Sequence, residues 1–117
     1  MSGAQSYYAG IAAEDQVARL YARSGRDVCA RRWRGSAGEI DLIARNGAEV
    51  IFIEVKQSST HALAAEHLSA RQMARIYASA SEFLAGEPAG QLTESRFDVA
   101  LVNAAGQIEI LENAFSA

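Results

Sequence analysis

The stretch GEIDLIARNGAEVIFIEVKQ, residues 38–57, predicts the centre of the fold. Two runs rich in apolar residues, 39–45 and 48–57, flank the dipeptide Asn46-Gly47. Asn-Gly between two such runs favours a tight turn, because both residues tolerate the positive φ angles that short hairpin turns require. The stretch therefore predicts two antiparallel strands joined as a β-hairpin.

The length of the turn sets which residues of the hairpin lie opposite each other. A two-residue turn pairs Asp41 with Phe52 and Glu39 with Glu54, whereas a four-residue turn through Glu49 shifts the pairing by two residues. Both alternatives give the same two faces, because side chains alternate along a strand. One predicted face is apolar and consists of Ile40, Leu42, Ile51, Ile53 and Val55. The other carries Glu39, Asp41, Glu54 and Lys56 near one end and Ile43, Val50 and Phe52 over the rest.

Three carboxylates on a partly covered sheet face need compensating positive charge, because like charges opposite each other destabilise a strand pair and burial adds to that cost. One lysine cannot neutralise three acids, but a divalent cation can. Oxygen ligands suit Mg²⁺ or Mn²⁺, and the hairpin has no His or Cys that would favour zinc. We therefore predict a Mg²⁺ or Mn²⁺ site held by Asp41 and Glu54, which could polarise a phosphodiester and activate a water.

Lys56 is the single lysine of a chain that has ten arginines. An ammonium is more compact than a guanidinium and changes its pKa more readily, so a lysine can orient a reacting water or stabilise charge on phosphorus. The spacing of Asp41, Glu54 and Lys56 is that of a metal-dependent phosphodiesterase site. The alternative is a surface strand pair with a Glu–Lys contact. Glu14, at the edge of the apolar stripe of the first helix, is either a further acid of the site or an exposed helical glutamate.

The rest of the chain predicts a single α/β domain, 1–117. Helices are expected at about 5–24 and 68–84, a loop between the third strand and the second helix, and further strands at 27–34, 97–103 and 108–111. The third strand, the second helix and the fourth strand form a βαβ unit, so these two strands should be parallel. The prediction is a mixed β-sheet flanked by helices.

The charge, the single cysteine and the lack of long apolar runs bear on what the protein binds and where it is located. The net charge of −3 argues against binding nucleic acid by bulk electrostatics, yet seven of the eleven basic residues lie within 19–45. Arg31, Arg32 and Arg34 form either a solvated face or a strip that follows phosphates. The lone Cys29 is expected to be a buried strand residue. The chain shows no secretory signal and no apolar run of membrane-spanning length, so we expect a cytoplasmic protein without a membrane partner.

Four features together resemble a known family: Glu14 on the first helix, GEIDLIA at 38–44, FIEVK at 52–56 and RFDV at 96–99. They closely resemble the YraN-like family of small uncharacterised bacterial proteins (uncharacterised protein family 0102). That family looks like a remote branch of the PD-(D/E)XK superfamily, near the archaeal Holliday junction resolvases. The resemblance implies a restriction-endonuclease-like αβββαβ core and a Mg²⁺-dependent endonuclease.

By position, the resemblance also implies residue roles. Asp41 and Glu54 would be metal ligands and Lys56 the catalytic lysine. Glu14 matches the helical acid of the resolvases, and Glu39 matches a characteristic acid of the family.

The chain departs from these relatives at some positions. Relatives usually carry a basic residue where Ser58 stands, and often a lysine where Arg71 preserves the charge. Gln72 and Tyr77 are five residues apart, rather than the four of the glutamine–tyrosine motif of RecB-type nucleases. None of these departures affects the acids or the lysine.

Two functional hypotheses follow. The first is an endonuclease that hydrolyses DNA phosphodiester bonds, with branched or damaged DNA as the expected substrate; a homodimer would be needed to cut both strands of a junction. Its expected phosphate contacts are Arg31, Arg32, Arg34 and Arg71. The second is a non-catalytic nucleic-acid-binding or DNA-repair scaffold module with the same fold. The intact set of Asp41, Glu54 and Lys56 favours the first, because binding alone does not require it.

Overall fold

The computed structural model describes residues 3–115, with side chains from residue 9 onward; residues 1–2 and 116–117, the ends of the predicted domain 1–117, lie outside it. In chain order the elements are α1 (Gly3–Arg23), β1 (Asp27–Arg34), β2 (Glu39–Asn46), β3 (Glu49–Gln57), α2 (His61–Glu66), α3 (Ala70–Leu84), a 3-10 turn (Gly90–Leu92), β4 (Ser95–Val102) and β5 (Ile108–Phe115). None of these helices has both the length and the apolar character that a membrane span requires.

Most of these bounds follow the predicted elements closely, but β5 continues four residues beyond the predicted 108–111, and neither α2 nor the 3-10 turn was predicted. The segment predicted as a loop contains the short helix α2, which begins after Thr60. The Thr60 hydroxyl accepts a hydrogen bond from the backbone N–H of Leu63 at 3.1 Å, as in an ordinary helix N-cap. A helix of six residues leaves too short a periodic pattern to detect in the sequence.

The five strands form one sheet in the order β1-β2-β3-β4-β5. Neighbouring strands are antiparallel except β3 and β4, which are parallel, as predicted. A parallel pair needs a crossover connection, and residues 58–94 supply it with α2 and α3. The fold is therefore a mixed α/β architecture in which helices flank a five-stranded mixed sheet.

Both faces of the sheet are covered. On one face α1 buries Ala13, Val17 and Tyr21 against Leu42, Ala44, Ile51, Ile53, Ala100 and Val102. On the other face α3 buries Ala80 and Leu84 against Ile40, Ile43, Val50 and Phe52. A buried side chain of this size contributes about 1.5–3 kcal/mol. The central strands β2 and β3 are thus covered on both faces, which places anything polar on them in a protected environment.

The hairpin turn lies one residue later than the Asn46-Gly47 turn that the sequence favours. Asn46 still pairs with Glu49, and the turn consists of Gly47 and Ala48, with Gly47 at a φ of +63°. The pairing is therefore that of the alternative register, shifted by two residues. A glycine at the first central position suits a tight hairpin turn. The first register, which placed Glu39 opposite Glu54, is wrong.

Ile40 packs on the opposite side of the sheet from the one predicted. It belongs to the cluster beneath α3 rather than to the cluster with Leu42. The turn between β1 and β2 is held against α3: Ser36 N–H donates to Glu82 Oε2 at 2.9 Å, and the Ser79 hydroxyl donates to the Gly38 carbonyl at 2.8 Å. These bonds draw the start of β2 towards α3 and break the alternation there.

Cys29 is exposed, not buried as predicted. It lies on the edge strand β1 at an irregularity between Val28 and Ala30, where the register with β2 shifts. A bulge places an extra residue on one strand and turns side chains away from their regular alternation. The strand assignment of Cys29 is confirmed, but its burial is not.

Asp98 on β4 is fully buried and fastens α1 to the sheet. Its carboxylate accepts hydrogen bonds from the Tyr21 hydroxyl at 2.6 Å, from Arg96 Nε at 3.0 Å and from the backbone N–H of Asn113 at 2.9 Å. Burial raises the pKa of Tyr21 far above its usual range, and the hydrogen bond to Asp98 acts in the same direction. The hydroxyl of Tyr21 therefore stays protonated and remains a donor.

We expect Tyr21→Phe to lower the free energy of unfolding by about 2 kcal/mol, because it removes one donor from a buried carboxylate. Tyr77→Phe is the matched control: its hydroxyl is buried without a hydrogen-bond partner among the described residues, so its loss should change stability by less than about 0.5 kcal/mol. Urea denaturation of both variants measures the difference. Equal effects would show that the bond to Asp98 adds no stability.

Candidate active site

The hairpin register brings two carboxylates together where the β2–β3 ladder ends. The last regular pair there is Leu42 with Ile53, and the next residue of each strand is Asp41 and Glu54. Asp41 uses its side chain at this point: its Oδ2 accepts the backbone N–H of Val55 at 2.8 Å. The predicted association of Asp41 with Glu54 is therefore present, although it arises from a different register.

Glu54 is the most enclosed of the predicted site residues, with 5% of its surface exposed. Its Oε1 lies 3.6 Å from Lys56 Nζ, and Lys56 itself is largely covered. Gln72 Nε2, from the first turn of α3, lies 3.4 Å from the same oxygen. One ammonium and one amide thus point at a buried carboxylate.

The electrostatics of this pair are unfavourable to two negative charges. Burial above all, with the hydrogen bond to Asp41 and the charge of Asp41, raises the pKa of Glu54 to about 9, and Lys56 opposes the shift without reversing it. Two carboxyl groups that share a site titrate as a pair, and the first negative charge disfavours the second. Without further positive charge, Glu54 holds a proton at neutral pH.

Glu14 on α1, for which the sequence left a site role and an exposed position open, is buried. It is 9% exposed, and its Oε1 accepts a hydrogen bond from Arg32 Nε at 3.0 Å. Burial raises the pKa of Glu14; Arg32 lowers it, and the charge of Asp41 raises it again. Glu14 is therefore a buried acid of α1 in an ion pair with Arg32, and not an ordinary exposed glutamate.

The other predicted residues surround this cluster at a greater distance. Glu39 pairs with Arg34 across the edge of the sheet, with Oε2 3.0 Å from Nη2, so it does not join Glu54 as the hairpin alternation predicted. Arg31 forms an ion pair with Asp15 on α1. Two of the three β1 arginines are therefore engaged with other acids, and Arg32 forms an ion pair with Glu14.

Two residues of α3 adjoin the site, and the sequence analysis assigned only one of them. Arg71 is exposed on the first turn, and Gln72, which contacts Glu54, was not predicted as a site residue. A signal was present: Ser69 caps α3 by accepting the backbone N–H of Gln72 at 3.1 Å. Ser-x-x-Gln is a capping-box pattern, and it would have placed Gln72 in the first helical turn.

The donor set fits a hard cation. Glu54 offers a buried carboxylate and Asp41 a partly buried one, and a cation would relieve their mutual repulsion. Within residues 3–115 no three His, Cys, Asp or Glu side chains come close enough to form a metal centre by themselves. Mg²⁺ commonly binds through one or two carboxylates and keeps its other positions for water and phosphate oxygens, so two carboxylates suffice.

Comparison with known proteins places the sequence among uncharacterised bacterial relatives. Residues 13–102 match the uncharacterised protein family UPF0102. A UPF0102 protein of Cereibacter sphaeroides is 74% identical over 117 residues, which is the full length of both chains. A UPF0102 protein of Ruegeria pomeroyi is 61% identical over 97% of this chain and 92% of its own. One of Roseobacter denitrificans is 50% identical over 98% of this chain and 89% of its own. These matches confirm the predicted family.

In EDTA at pH 8, we expect Glu54→Gln to raise the free energy of unfolding by about 1–2 kcal/mol. Because the folded pKa of Glu54 is about 9, the folded chain holds a proton that the unfolded chain releases above about pH 4.5. Wild-type stability therefore falls as pH rises through that window, and the glutamine variant escapes this loss. The advantage should shrink towards pH 5. Glu66→Gln, an exposed change on α2, is the control, and thermal melts at both pH values measure the effect.

Proposed function

The chain belongs to the uncharacterised protein family UPF0102, and from its buried carboxylate pair we propose that it is a metal-dependent endonuclease that hydrolyses DNA phosphodiester bonds. The observation that carries the proposal is the convergence of Asp41, Glu54 and Lys56 at the end of a protected hairpin. Two neighbouring like charges destabilise a hairpin, so they do not serve its stability. A site that binds a cation needs such carboxylates as ligands.

The order of elements supports the same proposal. The succession of α1, three strands, α3 and β4 matches the αβββαβ core that the resemblance to PD-(D/E)XK nucleases implies. The three site residues lie on β2 and β3 within that order, and Glu14 lies on the first helix. We propose on these grounds a restriction-endonuclease-like core, related to that of the Holliday junction resolvases.

In the proposed hydrolysis of a phosphodiester, Asp41, Glu54 and Lys56 have different roles. Asp41 and Glu54 would hold a Mg²⁺ or Mn²⁺ ion, which would act as a Lewis acid on the phosphoryl oxygen and lower the pKa of a water. Once both are ionised, these carboxylates could also accept hydrogen bonds from the attacking water. That water forms a new O–P bond as a P–O bond to sugar breaks; its proton passes to solvent, and the leaving oxygen takes a proton from solvent. Lys56 donates a hydrogen bond to the water or to the phosphoryl oxygen as negative charge develops.

The proposed substrate is DNA with branches or damage, by resemblance to the resolvases. Cutting two strands of a junction requires two such sites, and a homodimer would provide them. The substrate and the dimer are proposed from the resemblance alone. The type of reaction is proposed from the geometry of the site as well.

A nucleic-acid-binding or repair-scaffold module is the second candidate. Glu14 and Glu54 already have neutralising partners in Arg32 and Lys56, and no third acid completes a metal centre within residues 3–115. This arrangement would be stable without a cation, as a module that has lost catalysis requires.

A cleavage assay distinguishes the two candidates. We expect wild type with Mg²⁺ or Mn²⁺ to cut a labelled four-way junction or a matched linear duplex, and Lys56→Ala to cut at least about 100-fold more slowly, because it removes a donor to the developing charge. Lys56→Arg keeps the charge but not the compact shape and should restore little activity. All variants are purified through identical steps. DNA binding without cutting, unchanged in Lys56→Ala, would leave the scaffold candidate.

Metal binding can be measured independently of cleavage. We expect millimolar Mg²⁺ or Mn²⁺ to raise the melting temperature of the wild type, because a ligand that binds the folded state stabilises it. Asp41→Asn should abolish that rise. Glu39→Gln is the matched control, since Glu39 pairs with Arg34 outside the carboxylate pair, and it should keep the rise. Equal responses from the two variants would argue against a cation at Asp41.

A further inference from the structure

Arg71 and Arg75 of α3 form an exposed basic pair beside the candidate site. Both side chains are exposed, and no carboxylate with a described side chain forms an ion pair with either of them. They are four residues apart on one helix, so their Cβ atoms are neighbours. Their positive charges are available for an external anion.

The arginines of β1 differ in this respect. Arg31, Arg32 and Arg34 each contact a carboxylate of the chain itself, at Asp15, Glu14 and Glu39. A polyanion that bound these arginines would have to displace an acid or approach it closely, which reduces the gain from each contact. The strip that the sequence suggested is therefore largely neutralised within the protein.

The position of the α3 pair relates it directly to the site. Gln72, next to Arg71, contacts Glu54. The aliphatic part of Arg75 lies beside Gly38, with its Cδ 3.9 Å from where a Cβ on Gly38 would be. Gly38 comes three residues before Asp41 in the chain. The two arginines thus lie on the helix whose Gln72 contacts Glu54, and Arg75 lies beside the turn that leads into β2, the strand that carries Asp41.

We propose that Arg71 and Arg75 hold the sugar-phosphate backbone of the nucleic acid at the carboxylate site; this rests on the proposed function and names its substrate contact. Like charges four residues apart on a helix destabilise it, and a bound phosphate removes that repulsion. Two neighbouring guanidinium groups suit consecutive phosphates of one strand, with bidentate hydrogen bonds to each. Such contacts fix the position of the strand without reading its sequence.

The chain contains a matched control for this proposal. Arg19 and Arg23 are also exposed, also four residues apart on one helix, and also without an ion pair to a described side chain. They follow Glu14 on α1 and lie along the helix towards its C-terminal end, away from the carboxylate pair. Replacing either pair by alanine removes the same charge from the same kind of helical surface.

The test compares Arg71→Ala/Arg75→Ala with Arg19→Ala/Arg23→Ala in EDTA, so that binding is measured without cutting. Fluorescence anisotropy with a labelled duplex and a labelled four-way junction gives Kd at several salt concentrations. We expect the α3 variant to weaken binding at least about ten-fold and to lower the slope of log K against log salt by about 1.8, at roughly 0.9 per phosphate contact. The α1 variant should bind within about two-fold of wild type.

Other outcomes separate this inference from the proposed function. If wild type binds or cuts DNA and both double variants do so equally well, the assignment to Arg71 and Arg75 is wrong and the nuclease stands. If both variants lose affinity to the same extent, the effect is one of net charge, and the assignment is again wrong. If wild type neither binds nor cuts any nucleic acid, both proposals fail together.

Discussion

The site depends on one constraint: Asp41 and Glu54 lie opposite each other at the end of the β2–β3 ladder. Burying two like charges is unfavourable in any protein, because each loses hydration and repels the other. The chain keeps them together by several means: Val55 donates its backbone N–H to Asp41, and Lys56 and Gln72 point at Glu54. These contacts reduce the repulsion but leave the pKa of Glu54 raised, so the site retains a capacity for added positive charge.

The two flanking helices are fixed to the sheet by polar contacts that also set the geometry of the site. On α1, Tyr21 follows Glu14 by seven residues, about two helical turns, so both lie on the same side of the helix. The bond from Tyr21 to Asp98 therefore fixes the rotation of α1 that also turns Glu14 towards Arg32 of β1. On α3, the bond from Ser79 to the Gly38 carbonyl fixes the helix against the start of β2. Structural bonds at one end of each helix thus position functional groups at the other.

The sequence predicted the strands and the acids of the site, but left the register of the hairpin open between two alternatives. Periodicity gave the hairpin and the parallel β3–β4 pair, because alternation and turn residues are local signals. It could not choose between the two hairpin registers: the observed one, with its turn at Gly47 and Ala48, places Asp41 rather than Glu39 beside Glu54, while Glu39 pairs with Arg34 on β1. Ile40 changed sides because the preceding turn is held by α3, a contact that no local pattern encodes. Errors of this kind arise wherever tertiary contacts override strand alternation.

A chain with a net negative charge can still bind a polyanion such as DNA if a few of its positive charges are not paired with its own acids. A net charge of −3 repels DNA at long range, and most arginines near the site are neutralised by their own acids. Association then depends on a few uncompensated cations, and an approach that does not meet them gains little. On the proposed function, a protein of this kind would bind ordinary duplex weakly and gain affinity from DNA whose shape brings a phosphate to Lys56 while the neighbouring phosphates reach α3. The acidic composition would then favour selectivity for the shape of the DNA over affinity for its charge.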